Sequence, residues 1–266
     1  MTPPPALTVD CSAEGRIVLT GADRVRFLHG LTTVNVETLA VGAAAWGAIL
    51  NPKGRVLSVI QVARTADTLV VVCEAASTEA TAALLERYAV MDDVVFTRVT
   101  GPAYRSWTDP ASVWTAPLVE GAAPTPAGDP AEIERLRVLA GLPRYGVDVD
   151  ADHFPFETPL AAVLDYGKGC YVGQEPVFRV HAQGGAARAL RGLVLHGDSD
   201  AVVPGATVVH PQRASAGVVT SLSRRPGRPT VALAYLHRTV WDVGGTVEIA
   251  GLTAQVVELP TREPAA

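Results

Sequence analysis

One stretch of the chain, residues 165–179 (DYGKGCYVGQEPVFR), combines side chains that can carry out chemistry. It holds Cys170 and, two residues earlier, Lys168, one of only two lysines in the sequence. A thiolate is a nucleophile and a metal ligand, and a nearby ammonium group lowers the pKa of a thiol. The pattern predicts a reactive Cys170 activated by Lys168. The alternative interpretation is that Cys170 is a small buried hydrophobic residue.

Three glycines lie within the same stretch, at positions 167, 169 and 173. Glycine permits a positive φ angle or a close approach of the backbone to a ligand. Gly173 also stands where a helix can begin, and free amide groups at that end favour an anion. Pro176 fits this helix only in its first turn. The expected site residues are Lys168, Gly169, Cys170, Tyr171, Gly173, Gln174, Glu175 and Arg179.

The elements that must position this stretch are predicted from periodicity and turn signals. Apolar and β-branched runs predict strands at 16–20, 46–50, 56–63, 68–73 and 94–99, and a further short strand near Val113. Helices are expected after Asp23 and from Ser77, and Thr158 begins another short one. Asp129, Pro130 and Gly141 mark the start and end of the clearest helix. This order predicts an α+β fold.

The character of the sequence changes near residue 187. Six short β-rich runs follow, at 190–196, 206–210, 216–222, 231–235, 246–249 and 254–259, and Gly- or Pro-containing turns separate most of them. Such a pattern predicts a small C-terminal β-barrel. We therefore divide the chain into an α+β region at 1–186 and a barrel domain at 187–266.

Composition excludes several classes of protein. The chain has 266 residues, and because 48% of them are hydrophobic it is not wholly disordered. Its net charge of −5 makes it a poor candidate for a nucleic-acid binder. No apolar run approaches the ~20 residues of a membrane span, and the N-terminus lacks a targeting pattern. Three scattered cysteines predict a reducing compartment without a disulfide framework. We expect a cytoplasmic monomer without membrane contact.

A stable metal site is not expected. The three cysteines include no Cys-x-x-Cys pair. His153 and Glu157 are four residues apart, but Pro155 between them disfavours a shared helical face. The paired acids Asp92 and Asp93 fit a solvated turn better than a catalytic role.

The segment KGCYVGQE at 168–175, followed by Arg179, resembles the signature of the YgfZ family. These folate-binding proteins are related to the aminomethyltransferase (T-protein) of glycine cleavage and are implicated in iron–sulfur cluster assembly or maintenance. FLHGLTT at 27–33, NPKGRVL at 51–57, GLP at 141–143 and PFE at 155–157 resemble further motifs of the family. The resemblance implies an aminomethyltransferase-like fold with ring-like subdomains around a folate channel, followed by a C-terminal β-barrel.

The resemblance also implies a site for tetrahydrofolate or a one-carbon derivative of it. Folate carboxylates suit arginine, and its flat pterin suits an aromatic ring in an apolar cleft. Arg179, Arg188, Glu157 and Trp46 are the expected binding residues. Three other tryptophans, at 107, 114 and 241, are alternative stacking partners, although core packing is their default role. Arginines 224, 225 and 228 are expected in a solvated turn.

Three functions remain open at this point. The resemblance favours a folate-binding accessory protein whose partners are iron–sulfur client or assembly proteins. The second is a tetrahydrofolate-dependent aminomethyl or one-carbon transferase. Hand alignment opposes it, because Ser58 and Leu139 take positions where aminomethyltransferases carry Asp and Glu, and neither can supply a charge. The third is a scaffold that has lost folate binding, for which the intact signature is poor support.

Overall fold

The computed structural model describes residues 6–182, 185–197, 199–262 and 264. In chain order, the strands and helices of the α+β region are β1 (Leu7–Asp10), β2 (Gly15–Thr20), α1 (Arg24–Leu31), β3 (Ala44–Leu50), β4 (Val56–Arg64), β5 (Leu69–Cys73), α2 (Thr78–Tyr88), β6 (Val95–Val99), β7 (Ala103–Trp107), α3 (Ser112–Thr115), β8 (Val119–Glu120), α4 (Pro130–Ala140) and α5 (Gln174–Ala182). The barrel region follows with β9 (Arg188–Leu195), β10 (Thr207–His210), β11 (Arg213–Arg225), β12 (Arg228–His237), β13 (Thr246–Ile249) and β14 (Leu252–Val257). Short 3₁₀ helices occupy Ala75–Ser77, Pro155–Glu157 and Pro159–Val163.

The first unit is an antiparallel five-stranded sheet in the order β3-β4-β5-β2-β6. Side chains alternate between the two faces of a strand, so Ile60 and Val62 on β4 share one face. This face packs against α1 and α2, and its core includes Phe27 from α1 and Leu85 from α2. The two helices are thereby fixed on one side of the sheet, and the C-terminal end of α1 is held in place.

The second unit is a small sheet in the order β1-β7-β8, on which α3 and α4 pack. Its strands were not expected from the sequence. The strand expected near Val113 is wrong, because this residue lies in the helical turn α3. The backbone amide of Ser112 donates a hydrogen bond of 2.9 Å to the Asp109 carboxylate, and this bond stabilises the turn. Asp109 and Pro110 repeat the Asp-Pro signal that opens α4.

Helix α4 confirms its predicted boundaries. The carboxylate of Asp129 accepts a hydrogen bond from the amide of Ala131, Pro130 is the first helical residue, and Gly141 ends the helix with a φ of 71°. Asp23 does precede α1, but its side chain caps a different group: it accepts a 2.9 Å hydrogen bond from the amide of Asp93.

The third unit confirms the predicted barrel. Six strands close in the order β10-β11-β12-β9-β14-β13 around an apolar interior. The outer surface of β9 and β12 carries Leu190 and Tyr235, which pack against Val138 and Leu139 of α4. This contact joins the barrel to the second unit.

Candidate functional site

The loop that carries Cys170 is anchored by Lys168. The Lys168 ammonium group is buried and donates hydrogen bonds to the carbonyl oxygens of His29, Thr32 and Val34, at 2.7, 2.6 and 2.7 Å. Burial lowers the pKa of Lys168 to about 8, against the opposing effects of Asp165 and Glu37. Since an ammonium group has three donors, these carbonyls use all of them.

The role expected for Lys168 therefore needs correction. From the sequence, its charge lies beside Cys170 and activates the thiol. The structure instead directs the ammonium group toward the end of α1 and the segment after it, 4.9 Å above the centre of the Tyr171 ring. Tyr171 is itself buried, which raises its pKa to about 12. Lys168 and Tyr171 are positioning residues that hold the loop.

Asp165 shapes the start of the same loop. Its carboxylate accepts hydrogen bonds from the Asn35 side chain (2.7 Å) and from the backbone amides of Gly167 (2.8 Å) and Lys168 (3.0 Å). These bonds, led by that of Asn35, lower the pKa of Asp165. Further along, the amide of Val172 donates a 3.1 Å hydrogen bond to the carbonyl of Gly30. The backbone is thus fixed on both sides of Cys170.

Cys170 is the only exposed cysteine of the three in the chain. Cys11 and Cys73 are buried, with 1% and 4% of their surface exposed. Burial raises the pKa of Cys11 to about 12, so its thiolate is disfavoured. Cys170 lies instead in an irregular segment that contacts solvent. Of the three thiols, it alone is accessible to a partner.

The end of the loop packs against the turn at 51–54, so two motifs that are remote in sequence meet. Gly173 has a φ of 81°, and a Cβ there would collide with the carbonyl oxygen of Asn51. Gly54 faces back toward the carbonyl of Gly173 and the ring of Pro176. Glycine is therefore required at 173 for both its conformation and its close contact, as the sequence predicts.

Helix α5 begins directly after Gly173, with Gln174 half-buried in its first turn. Glu175 and Arg179 form an ion pair of 2.6 Å along the helix, with 83% and 62% of their side chains exposed. Exposed pairs of this kind contribute little to stability. Arg179 therefore lies on the exposed surface of α5, and its ion pair joins it to Glu175 of the same helix and not to the Cys170 loop.

The expected folate residues Glu157 and Arg188 are brought together, but they bind each other. Their ion pair measures 3.3 Å, and Arg188 also donates to the carbonyl of Asp152 at 2.9 Å. Glu157 further accepts a 3.0 Å hydrogen bond from the amide of Phe154. The pair links the start of the barrel to the 3₁₀ turn at Pro155–Glu157.

A cavity of about 600 Å³ lies between the second unit and the barrel. Trp114, Phe156 and Trp241 contribute aromatic walls, and Glu258 a carboxylate. None of the four expected folate residues lines this cavity. One of them, Trp46, packs edge-to-face against the cavity residue Trp114, with 6.3 Å between the ring centres. This cavity is large enough for a small organic ligand.

Arg191 is the cavity residue that the sequence analysis missed. Its guanidinium group lies 4.9 Å from the centre of the Trp241 ring, and its Nε donates a 3.3 Å hydrogen bond to the Trp241 carbonyl. Burial lowers the pKa of Arg191 against the opposing charges of Asp242 and Glu258, and among the described residues neither carboxylate is close enough to form an ion pair with it. The sequence contained one indication of this role, because Arg191 interrupts the apolar run that forms β9.

Comparisons with known proteins agree with this architecture. The model of the GCVT N-terminal domain matches residues 5–106. The chain is 28% identical to an aminomethyltransferase of Saccharopolyspora erythraea (94% of this chain, 85% of that protein) and 25% identical to the tRNA-modifying protein YgfZ of Vibrio vulnificus (66% of each). A putative chloroplastic transferase of Arabidopsis thaliana is 23% identical over 97% of this chain and 72% of its own length.

A solved structure supports the same fold. The glycine cleavage system aminomethyltransferase T of Bartonella henselae superposes with a TM-score of 0.79, covering 99% of this chain and 89% of that one at 19% identity. The chain is a YgfZ-like relative of the glycine-cleavage T-proteins.

The YgfZ-like chain has no carboxylate at either position compared above with the transferases. Ser58 is buried, and its hydroxyl accepts a 3.0 Å hydrogen bond from Thr81 of α2. The adjacent Val59, on the opposite face of β4, lines a small cavity of about 30 Å³. Leu139 is buried between α4 and the barrel.

In the part of the chain that the structure describes, no three His, Cys, Asp or Glu side chains are grouped as a metal site would require. No helix in the same ranges is long and apolar enough to cross a membrane.

Proposed function

We propose that this chain is a tetrahydrofolate-binding accessory protein that supports the assembly, repair or maintenance of iron–sulfur enzymes, with Cys170 as its reactive group. The proposal rests on the YgfZ-like signature at 168–175 and on the relatives reported above. Its expected partners are folate and iron–sulfur client or assembly proteins, and we place it in the cytoplasm as a monomer.

One observation carries the proposal: an exposed thiol stands on an immobilised loop. Lys168 and Asp165 tie the loop before Cys170, and Val172 and Gly173 tie it afterwards. A thiol that only filled space would be buried, as Cys11 and Cys73 are. An accessible thiol in a fixed position is suited to bond a partner's sulfur or a metal ion delivered by a partner.

The cavity beside the barrel fits a folate by its chemistry. A flat heteroaromatic ring can pack on Trp241 or Trp114, and the carboxylate of Glu258 can accept hydrogen bonds from the ring's amino and imino groups. The Arg191 guanidinium, which forms no ion pair among the described residues, can bind a glutamate carboxylate of the ligand. Bound tetrahydrofolate supplies a reduced pterin that can carry a one-carbon group.

Aminomethyl transfer is the second candidate, and the match to the aminomethyltransferase of S. erythraea over 94% of this chain favours it. The chemistry of this chain opposes it. The hydroxyl of Ser58 is hydrogen-bonded to Thr81, and the neighbouring residue that lines the small cavity, Val59, is apolar. Leu139 packs against the barrel. None of the three can hold the charge that the transfer requires.

The V. vulnificus relative is named for tRNA modification. With a net charge of −5, this chain is poorly suited to bind the phosphate backbone of RNA directly. We therefore propose that any effect on tRNA passes through a client enzyme.

The deciding experiment has two measurements on wild type and Cys170→Ala. Anaerobic calorimetric titration with tetrahydrofolate should give equal affinities for both proteins. Iron–sulfur enzyme activities in cells lacking the gene should be restored by wild type and not by the variant. Absence of folate binding to wild type refutes the folate assignment, and restoration by Cys170→Ala refutes the role of the thiol. Turnover of an aminomethylated carrier protein with tetrahydrofolate would favour the transferase instead.

A further inference from the structure

The cavity of about 600 Å³ is lined by the two chain segments that flank the Cys170 loop. Residues from the segment 156–163 line it before the loop, and residues from the segment 186–191 line it after α5. The stretch 164–185, which carries Cys170, therefore starts next to the cavity wall and ends next to it. A ligand in the cavity contacts the chain on both sides of this stretch.

One ion pair joins the two sides beside the cavity. Glu157 and Arg188 lie 3.3 Å apart, with 9% and 41% of their side chains exposed. Their immediate neighbours Thr158 and Ala189 line the cavity. The Arg188 guanidinium also donates a 2.9 Å hydrogen bond to the carbonyl of Asp152. The pair therefore holds the two cavity-lining segments together at the base of the Cys170 stretch.

The Cys170 loop and the cavity wall share one apolar core. Tyr171 of the loop and Val177 of α5 are buried in a cluster that also contains Leu164. The wall residues Phe156 and Val163 pack against the same cluster. Because a close-packed core transmits displacements, a loop that leaves this cluster removes support from the wall.

The loop has a second attachment, to α1, that does not involve the cavity. The ammonium group of Lys168 donates to carbonyls at the end of α1, and the amide of Val172 donates to the carbonyl of Gly30. We call the loop docked when these bonds are formed. Its release must break them and also withdraw Tyr171 from the core shared with the wall.

We propose that the Glu157–Arg188 ion pair couples the cavity to the Cys170 loop, so that a folate bound in the cavity keeps the loop docked on α1. This inference rests on the folate site proposed above. A ligand suppresses every opening that dismantles its site by the factor 1 + [L]/Kd, and a docked loop favours the ligand equally. Bound folate thereby holds the exposed thiol in a fixed position for a partner.

Hydrogen–deuterium exchange of the loop amides tests the coupling. The amides of Lys168 and Val172 are hydrogen-bonded to Asp165 and Gly30, so they exchange when the loop is released. Anaerobic tetrahydrofolate at about ten times its Kd should slow their exchange about tenfold. The amide of Val94, bonded to the Asp92 carbonyl in the turn before β6, should exchange at the same rate with and without ligand.

Arg188→Gln tests the ion pair itself. Without ligand, the loop amides should exchange about fivefold faster, the effect of losing a partly exposed ion pair. Protection by tetrahydrofolate should fall to about twofold or less, because the loop can then open while the cavity persists. The control is Arg179→Gln, which breaks the exposed pair with Glu175 on α5 and should change neither rate. Should Arg188→Gln not fold, Glu157→Gln replaces it under the same criteria.

The outcomes separate this inference from the folate site. Calorimetric binding of tetrahydrofolate without slower exchange of the loop amides overturns the coupling and leaves the folate site intact. Equal acceleration of the loop and of β5 in Arg188→Gln overturns the role of the ion pair, since it shows a general loss of stability. Absence of binding refutes the folate site and, with it, control of the loop by folate.

Discussion

Lys168 donates a hydrogen bond of 2.6 Å to the backbone carbonyl of Thr32, although 136 residues separate them in the chain. The carbonyl belongs to the segment that follows α1, and the ammonium group comes from the loop that presents Cys170. The position of the exposed thiol therefore depends on a correctly folded first unit. A substitution of Lys168, or a displacement of the Thr32 backbone, therefore alters the position of the other residue.

Replacing Lys168 by Met should destabilise the protein by about 3 kcal/mol. Met has similar length but no donors, so the carbonyls of His29, Thr32 and Val34 lose their partner, and each buried unpaired group costs ~1–3 kcal/mol. Part of this loss is offset because an ammonium group no longer has to be buried. Urea unfolding measures the difference. The exposed Lys53→Met is the control, and an equal effect of the two variants would contradict the anchoring role.

Much of the secondary structure follows from local signals. Asp129, Pro130 and Gly141 delimit α4 because caps act within one helical turn, and the six barrel strands alternate clearly enough to be recognised. Asp109 and Pro110 carried a similar signal for α3, and the β-branched Val113 obscured it.

The site was less predictable, because it depends on contacts between distant segments. The sequence places Lys168 two residues from Cys170, but only the fold shows that its ammonium group points toward carbonyls near α1. Similarly, Glu157 and Arg188 are both plausible ligand residues until their mutual ion pair is seen. An arginine within the apolar run of β9 is a local signal for Arg191, but only the fold shows the cavity that this residue lines.

Gly173→Ala should reduce stability by more than the cost of its positive φ alone. A non-glycine residue in the left-handed region costs ~1–2 kcal/mol, and here the added Cβ also collides with the Asn51 carbonyl. Gly146→Ala measures the cost of the positive φ alone, because Gly146 has a φ of 83° and no atom lies near the Cβ that alanine would add. We expect Gly173→Ala to lose at least ~1 kcal/mol more in urea unfolding. Equal losses of stability in the two variants would show that the turn at 51–54 moves away from the added Cβ without a measurable cost.

Arg191→Gln should weaken tetrahydrofolate binding by about tenfold to hundredfold. A hydrogen bond to a charged group contributes ~1.5–3 kcal/mol, and the variant removes the positive charge in the aromatic-walled cavity. Calorimetry under anaerobic conditions measures the affinity, and thermal unfolding checks that the variant is folded. Arg179→Gln, on the exposed face of α5, should bind like wild type. Stronger weakening by Arg188→Gln than by Arg191→Gln would move the carboxylate site to the Glu157 pair.

Iodoacetamide at pH 8 should label Cys170 in the native protein and leave the other two cysteines unmodified. Burial both blocks access to Cys11 and Cys73 and raises the pKa of each thiol. In urea all three should react, which provides the internal control. Native labelling of Cys73 at the rate of Cys170 would show that β5 opens readily, and the assignment of Cys170 as the single accessible thiol would fail.

Asp165→Asn should remove a pH-dependent part of the stability. Hydrogen bonds from Asn35 and from the amides of Gly167 and Lys168 hold the pKa of the Asp165 carboxyl below its usual 3.8. Because the folded-state pKa is the lower one, the ionised carboxylate stabilises the fold fully above pH ~4. This contribution is lost as the pH falls through the folded-state value. The difference in unfolding free energy between wild type and Asp165→Asn should be constant from pH 7 to about 5 and shrink in more acidic solution. A constant difference down to pH 2 would show that the carboxylate charge does not stabilise the loop, and that its hydrogen bonds act equally well from a neutral side chain.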